Sequence, residues 1–425
     1  MKMEDTNINI AIVGLGYVGL PLAVEFSKKY KSIGYDINKT RVHELNAGID
    51  ITNEVSQETL LDSLNQDLLI TNDKNLLSEY NVYIITVPTP VTSDKLPNLK
   101  FLKAASKTVA NFLKKGNIVI YESTVYPGCT EEICVPILEN QSKLEFNKDF
   151  FCGYSPERIN PGDKVNTLTK IKKVTSGSTP KIATIVDDIY KSIINAGTHL
   201  APSIKVAEAS KAIENAQRDL NISFMNELAL IFDKMEIDTN DVLEAARTKW
   251  NFLNFKPGLV GGHCISVDPY YLTYKSRKLG YEPKVILSGR DVNNRIGHFI
   301  ADKTIQLIEK NKNKINSSHI LVMGLTFKEN CPDIRNSQVP VIIDRLADKG
   351  ANVSVYDPYV DEEIVFDENI SISLINKLDK YDGIIIAVAH DEFKNINFDN
   401  LKKDSKSVIF DVKGILEKSK SDTRL

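Results

Sequence analysis

The sequence predicts an α/β protein: two Rossmann-like, doubly wound domains joined by a long central helix and a helical middle domain. Three observations carry this expectation. An apolar strand at residues 8–13 runs directly into Gly14-Leu-Gly-Tyr-Val-Gly19 and then a helical pattern. Residues 203–234 contain neither Gly nor Pro and keep apolar side chains at helical spacing. From His319 onward, a second series of strand and helix patterns echoes the order of the first. The 425 residues exceed what one ordinary core holds, and the pattern divides them at 1–200, 201–312 and 313–425.

The first element is a strand, glycine turn and helix. Gly14 makes the tight turn, Gly16 lets a pyrophosphate approach the backbone, and Gly19 lets helix and strand pack closely, with Tyr17 and Val18 between them. A second strand ends in Asp36, about 20 residues after the motif begins, where an acid receives the ribose hydroxyls and repels a 2′-phosphate. The expected cofactor is therefore NAD. A glycine turn that merely joins strand to helix is the bland alternative.

Further strand and helix patterns follow at 82–87, 99–113 and 117–121, as in a parallel sheet. The loops after these strands carry Pro88-Thr89-Pro90 and Ser123-Thr124, at the edge where such sheets bind ligands, although ordinary turn chemistry accounts for the same residues. Glu157 follows another strand. It is a candidate base, or one half of an exposed loop salt bridge.

In the long helix Lys211 and Asn215 are four residues apart and share a face. A cation beside an amide suits an oxyanion; a solvated stripe fits the spacing as well. A further helical segment near 241–246 leads into Arg247-Thr-Lys249-Trp250, where basic and aromatic residues interleave around the only tryptophan. That run suits phosphates and a sugar face, or a packed interface. Next comes Gly261-Gly-His-Cys264, with Asp268 four residues later. A thiol on a glycine turn near a carboxylate is an arrangement for covalent catalysis, and inert packing is the alternative. Side chains of neighbours in extended backbone point apart, which argues against His263 activating Cys264.

Residues 311–318 are polar and read as a linker. The second lobe then has a strand into Gly324, a helix at 337–346, a strand ending in Asp357, and strands at 383–388 and 408–411, but no GxGxxG. It is expected to hold a different nucleotide, or none. The charged C-terminal residues are expected to fray.

Composition excludes several classes. A net charge of -3 offers no general polyanion-binding surface, so nucleic acid is not an expected partner. No apolar run reaches membrane-spanning length and no signal-type segment opens the chain, so no membrane is expected. Five cysteines, scattered without metal-ligand spacing, suit a reducing cytoplasm and no metal.

Taken together, Gly14-Leu-Gly-Tyr-Val-Gly-Leu-Pro21, Val87-Pro-Thr-Pro90, Glu122-Ser-Thr124, Ser155-Pro-Glu157, Lys211 with Asn215, Gly261-Gly-His-Cys264 with Asp268, and the run from Gly324 to Arg335 resemble the UDP-glucose/GDP-mannose dehydrogenase family over nearly the whole chain. Ser155 stands where the UDP-glucose enzymes usually have Asn. The run from Thr248 to Thr273 looks most like the subgroup of UDP-N-acetylhexosamine 6-dehydrogenases of the Vi-polysaccharide and O-antigen type, with Ser266 where that subgroup often has Gly.

The resemblance implies an NAD-binding domain, a central dimerisation domain with the catalytic cysteine, and a UDP-sugar-binding domain. It implies NAD-dependent, four-electron oxidation of a UDP-N-acetylhexosamine at C6, with UDP-N-acetylmannosamine or UDP-glucose as alternative substrates. Cys264 would carry thiohemiacetal and thioester, Lys211 and Asn215 would hold the C6 oxygen, Asp268 would relay protons and Glu157 would be the hydrolytic base, with Thr124 nearby. Gly14, Gly16, Tyr17, Val18, Gly19, Asp36, Arg41, Thr89, Thr124 and Arg335 would bind NAD. Glu157, Arg158, Lys211, Asn215, Lys249, Lys256, Gly261, Arg290 and Lys328 would bind the UDP-sugar. A homodimer through the central helix is also implied, with Lys249 acting across the interface.

Overall fold

The computed structural model describes residues 8–159, 165–262, 265–311, 314–361 and 372–425. By packing, these fall into two compact units: residues 1–214 with 270–281, and residues 215–269 with 282–425.

The first unit is built on six parallel strands: β1 (Asn9–Val13), β2 (Lys31–Tyr35), β3 (Leu68–Thr71), β4 (Val82–Ile85), β5 (Ile118–Tyr121) and β6 (Phe151–Tyr154). Their spatial order is β3-β2-β1-β4-β5-β6. The order reverses between β1 and β4, and in such a sheet this leaves a crevice at the carboxyl ends of those strands. Helices α1 (Gly19–Ser27), α2 (Lys39–Asn46), α3 (Gln57–Leu64), α4 (Lys100–Ala110), α5 (Val135–Ser142) and α6 (Pro180–Lys191) accompany them. A small parallel pair, β7 (Lys173–Thr175) and β8 (Thr198–Leu200), flanks α6. Ile10 and Ile12 of β1, Ile84 of β4 and Ile120 of β5 pack against Leu22, Phe26, Val186 and Tyr190 in one core. Ala11, Val13, Tyr83, Ile85, Val119 and Tyr121, alternate along the same strands, are buried too. Burial on both faces is why the strands read as continuous apolar runs.

Helix α7 (Ile204–Lys234) begins in the first unit and continues into the second. Val206, Ile213, Phe224 and Ile231 remain about half exposed along it.

Helix α8 (Thr239–Arg247) lies in the second unit, α9 (Asp268–Lys278) begins there and passes into the first, and in the second unit α10 (Lys284–Lys310) and α11 (Val339–Asp348) cover one face of a five-stranded parallel sheet. Its strands are β9 (His319–Met323), β10 (Asn352–Tyr356), β11 (Gly383–Ile386), β12 (Val408–Asp411) and β13 (Thr423–Arg424), ordered β10-β9-β11-β12-β13. Ile320 and Val322 face the cluster of Ile300, Ile342 and Phe410, while Leu321 and Met323 join Ile384, Phe393 and Ile409 on the other side.

This lobe echoes the first down to its acid. Asp36, after β2, accepts the Leu15 N–H on Oδ2 at 2.8 Å. Asp357, after β10, accepts the Leu325 and Thr326 N–H groups on Oδ2. On Oδ1 the likeness continues, Asp36 accepting the Asn38 N–H and Asp357 the Tyr359 N–H; it stops at His390, beneath which Asp357 is buried, with Nε2 3.1 Å from Oδ2. The bond from His390 and those from the backbone outweigh burial and hold the Asp357 carboxyl below its ordinary range.

The expectation of a frayed C-terminus is corrected. β13 pairs with β12, Leu425 is buried, and the Arg424 guanidinium donates to Asp238 at 2.8 and 2.9 Å. A two-residue strand lies below any periodic pattern, and the charges that suggested disorder are matched by α8 and its cap.

Candidate active site

The glycine turn has the geometry its spacing predicts. Gly14 has φ +100°, and a Cβ on Gly19 would lie 1.8 Å from the Gly14 carbonyl oxygen, so neither position accepts a side chain without strain. Gly16 has open space around its would-be Cβ, as a backbone that receives a phosphate requires. Thr86 Oγ1 donates to Gly14 O at 2.7 Å and fixes the turn to β4. Asp36 is partly exposed, with Oδ1 accepting the Asn38 N–H. Arg41 is turned inward: Nε donates to Leu15 O at 3.1 Å and Nη2 to Asp50 at 2.7 Å, so it braces the turn from beneath. Thr89 Oγ1 donates to Thr124 O at 2.7 Å and ties together the loops after β4 and β5. Tyr17 and Val18 are partly buried beside the turn.

The start of α7 carries two buried polar side chains in the first unit, Glu208 and Lys211, and the partly exposed Glu214. Glu208 accepts the N–H groups of Gly128 and Thr130 and so holds the chain that leaves the Thr124 loop. Burial pushes its carboxyl up to about 7 even against those bonds. Lys211, one turn on, donates to the main-chain oxygen of Glu157 at 2.7 Å. Glu214 pairs with Arg158.

Glu157 is neither exposed nor in a surface salt bridge. Its Oε1 accepts the N–H groups of Arg158 and Ile159, and its Oε2 accepts from the buried Lys173. Lys173 also donates to Glu122 at 2.7 Å, and the Tyr190 hydroxyl donates to the same carboxylate. Burial raises Glu122 to about 7 although Lys173 opposes it. Lys173, Glu122 and Tyr190 drew no attention in the sequence as a cluster, because β5, β7 and α6 are far apart in the chain.

In the second unit Asn215, fully buried on α7, donates to Asp268 at the start of α9. The solvated-stripe reading of Lys211 and Asn215 is thereby replaced: both are buried and engaged. Gly262 has φ +84°, and a Cβ there would strike the Phe327 ring at 2.7 Å; one on Gly261 would strike Asn336 O at the same distance. Gly262 O accepts from Ser266 Oγ and Asn336 Nδ2. His263 and Cys264 lie outside the described residues. On either side of them, Gly262 packs on Phe327 and Ser266 bonds back to Gly262.

Of the residues expected to bind the substrate, Glu157, Arg158 and Lys211 lie in the first unit, and the others, together with Arg335 expected at NAD, are dispersed in the second. Lys256 lines a cavity of about 270 Å³ with Pro257, Gly258, Glu329 and Lys413. Burial lowers the affinity of Lys413 for its proton; Glu329 opposes that and Lys256 adds to it. A phosphate would relieve both ammoniums. Lys413 escaped sequence reasoning because it follows the last long strand with no motif around it. Lys249 and Trp250 are exposed, Trp250 at 97%. Lys328 lies 5.8 Å over the Phe327 ring. Arg335 grips Asp333 through both Nε and Nη2, and Arg290 is buried against Asp219 at 2.6 Å, its charge matched within the fold.

Three domain profiles match this chain in order: the NAD binding domain of the UDP-glucose/GDP-mannose dehydrogenase family over residues 8–194, its central domain over 205–295 and its UDP binding domain over 321–418. The chain belongs to the UDP-glucose/GDP-mannose dehydrogenase family. Residues 8–194 are accordingly an NAD-binding domain, and the second lobe is the UDP-binding domain. UDP-N-acetyl-D-glucosamine 6-dehydrogenase of Pseudomonas aeruginosa is 54% identical, with all of both chains covered, and that of Salmonella typhi is 52% identical over 98% of this chain and 99% of its own. Among solved structures, UDP-D-ManNAc dehydrogenase of Pyrococcus horikoshii aligns with a TM-score of 0.88 at 31% identity, covering 98% of each chain. Among the described residues no helix is long and apolar enough to cross a membrane.

Proposed function

We propose that this member of the family oxidises the C6 hydroxyl of UDP-N-acetylglucosamine to the carboxylate in two successive oxidations at one site, supplying a uronate for surface polysaccharide. The relatives above half identity that carry the 6-dehydrogenase name support the substrate. The observation that carries the chemistry is the pair of buried contacts on successive turns of α7, Lys211 to Glu157 and Asn215 to Asp268.

NAD+, when bound, accepts the hydrides from C6. Lys211 offers an ammonium for the alkoxide that develops on the C6 oxygen, an electrostatic role worth about 3 to 4 kcal/mol in comparable sites. Asn215 shares that oxygen, and its bond to Asp268 orients both side chains. The aldehyde has no second hydride to give until a nucleophile adds to it. Cys264 supplies the thiolate that makes a thiohemiacetal, whose oxidation leaves a thioester. Glu157 takes a proton from the water that cleaves it. Lys256 and Lys413 at their cavity receive the diphosphate, with Lys328 as a further cation.

The exposed apolar stripe of Val206, Ile213, Phe224 and Ile231 on α7 supports a homodimer, in which Lys249 serves the partner's site. Among the described residues four cysteines are buried and form no disulfide, which supports a reducing cytoplasm as its place. UDP-N-acetylmannosamine is the second reading, favoured by the likeness to the Pyrococcus horikoshii structure; UDP-N-acetylgalactosamine and UDP-glucose complete the panel. The test is NADH yield on each sugar. Two NADH per UDP-N-acetylglucosamine is the expected result; one NADH, or turnover of another sugar alone, overturns the proposal.

A further inference from the structure

In the first unit two buried carboxylates share one buried ammonium. Lys173 bridges Glu122 and Glu157, with side-chain exposures of 0 to 6% across the three. Tyr190 closes the far side, its hydroxyl on Glu122 and its ring 5.3 Å from the Lys173 ammonium. With both acids ionised, the cluster would bury one uncompensated negative charge, which is costly out of water, so it holds an extra proton readily. The two ends are unequal. Glu157 accepts the N–H groups of Arg158 and Ile159 as well as the Lys173 ammonium. Glu122 is held by the Lys173 ammonium and the Tyr190 hydroxyl and is raised to about 7 by burial. Glu122 thus takes a proton easily at neutral pH.

We infer that Glu122 and Lys173 are positioning residues for the hydrolytic step, forming with Glu157 a relay in which the proton taken from water comes to rest on Glu122. The inference rests on the reading above, in which Glu157 is the base for a Cys264 thioester. Water gives a proton to Glu157 Oε2 as its oxygen bonds to the acyl carbon. The carbon–sulfur bond breaks, and its electron pair returns to Cys264 as thiolate. Glu157 passes its proton to Lys173 Nζ as Lys173 gives one to Glu122 Oε2. Lys173 ends as it began, Glu157 is again an anion, and Glu122 is neutral until it loses the proton to solvent. Nothing is oxidised or reduced in this step.

The groups that face Glu122 are Lys173 from β7, Tyr190 from α6 and, through Lys173, Glu157 from the loop after β6. In Glu122→Gln the store is gone. Both oxidations in the first turnover should keep the wild-type rate while thioester cleavage slows about 100-fold, the scale of a general base contribution. Rapid mixing with NAD+ and UDP-N-acetylglucosamine should then show a burst of NADH followed by a slow phase, with acyl-enzyme on Cys264 seen by mass spectrometry. The inflection near neutrality in the wild-type hydrolysis rate should vanish, and Glu122→Asp should restore part of the rate. Wild-type hydrolysis and an unchanged pH profile in Glu122→Gln would overturn the relay, as would an equal slowing of all steps with a lowered melting temperature. Infrared spectra of the free enzyme test the store without turnover: a protonated-carboxyl band that titrates near neutrality and is absent in Glu122→Gln is expected, and its persistence in that variant would overturn the assignment. If Glu157→Gln accumulates no acyl-enzyme and wild type yields one NADH per sugar, the thioester reading itself has failed, and the relay falls with it.

Discussion

Lys211 is held by the main-chain oxygen of Glu157 at 2.7 Å and not by a carboxylate. A neutral acceptor orients the ammonium and leaves its charge undiminished for a developing alkoxide. Lys211→Ala should therefore lower kcat on the order of 100- to 1,000-fold and leave NAD affinity unchanged, since loss of one oxyanion donor costs about 3 to 4 kcal/mol. Steady-state kinetics with cofactor titration checks both halves.

Gly262 joins a positive φ to a would-be contact with the Phe327 ring. Gly262→Ala must move that ring or the turn ahead of Cys264. We expect a fall in kcat of about tenfold or more with the fold retained, from misplacement of the reacting group. Circular dichroism beside turnover measures it; undiminished turnover would show that the turn does not position the thiol.

Asp36 serves the turn through Leu15, and its free face suits the hydroxyls of a ribose. Asp36→Ala should weaken NAD binding about 10- to 100-fold, the loss of one or two charge-assisted bonds. Fluorescence titration with NADH is the measurement, and UDP-sugar binding should not change.

Glu208 gives a stability prediction with a definite sign. Its carboxyl is raised in the fold from the ordinary 4.5 to about 7 by burial. The folded state therefore binds the proton more tightly than the unfolded chain, and stability falls as pH rises between those values. The penalty is full above about 7 and absent below the ordinary carboxylate range. It amounts to something on the order of 3 kcal/mol. Denaturant melts should show this slope in wild type flattened in Glu208→Gln, which at acid pH should be the less stable protein because the amide cannot accept both the Gly128 and Thr130 N–H groups. An identical slope in the two proteins would contradict it.

Arg424 and Asp238 form a partly buried, two-point ion pair. Arg424→Ala should lower the stability of the second unit by about 1 kcal/mol, discounted for its solvent contact. Thermal melts in high salt should shrink the difference.

How much of this was legible follows from the distance over which each feature is assembled. Gly14 to Asp36 is one strand, turn, helix and strand, so the spacing itself encodes the site. The face shared by Lys211 and Asn215 follows from helical periodicity, but their partners, Glu157 and Asp268, do not. The Glu122, Lys173 and Tyr190 cluster depends on β5, β7 and α6 meeting in space, and no local pattern announces it. The charged C-terminal run reads as loose because its composition shows no partner until α8 and its cap, which hold Arg424, are known. Asp357 ends its strand as Asp36 does, and only the burial of His390 separates their roles.

That last difference bears on anyone who would re-engineer the second lobe. Grafting a GxGxxG turn after β9 would supply a phosphate seat, yet the acid needed to grip a ribose is already mortared into the wall by Leu325, Thr326, Tyr359 and His390. Freeing it would remove the keystone of the loop that carries Lys328. The two lobes are thus not interchangeable parts, and converting one into the other calls for rebuilding its foundation before its surface.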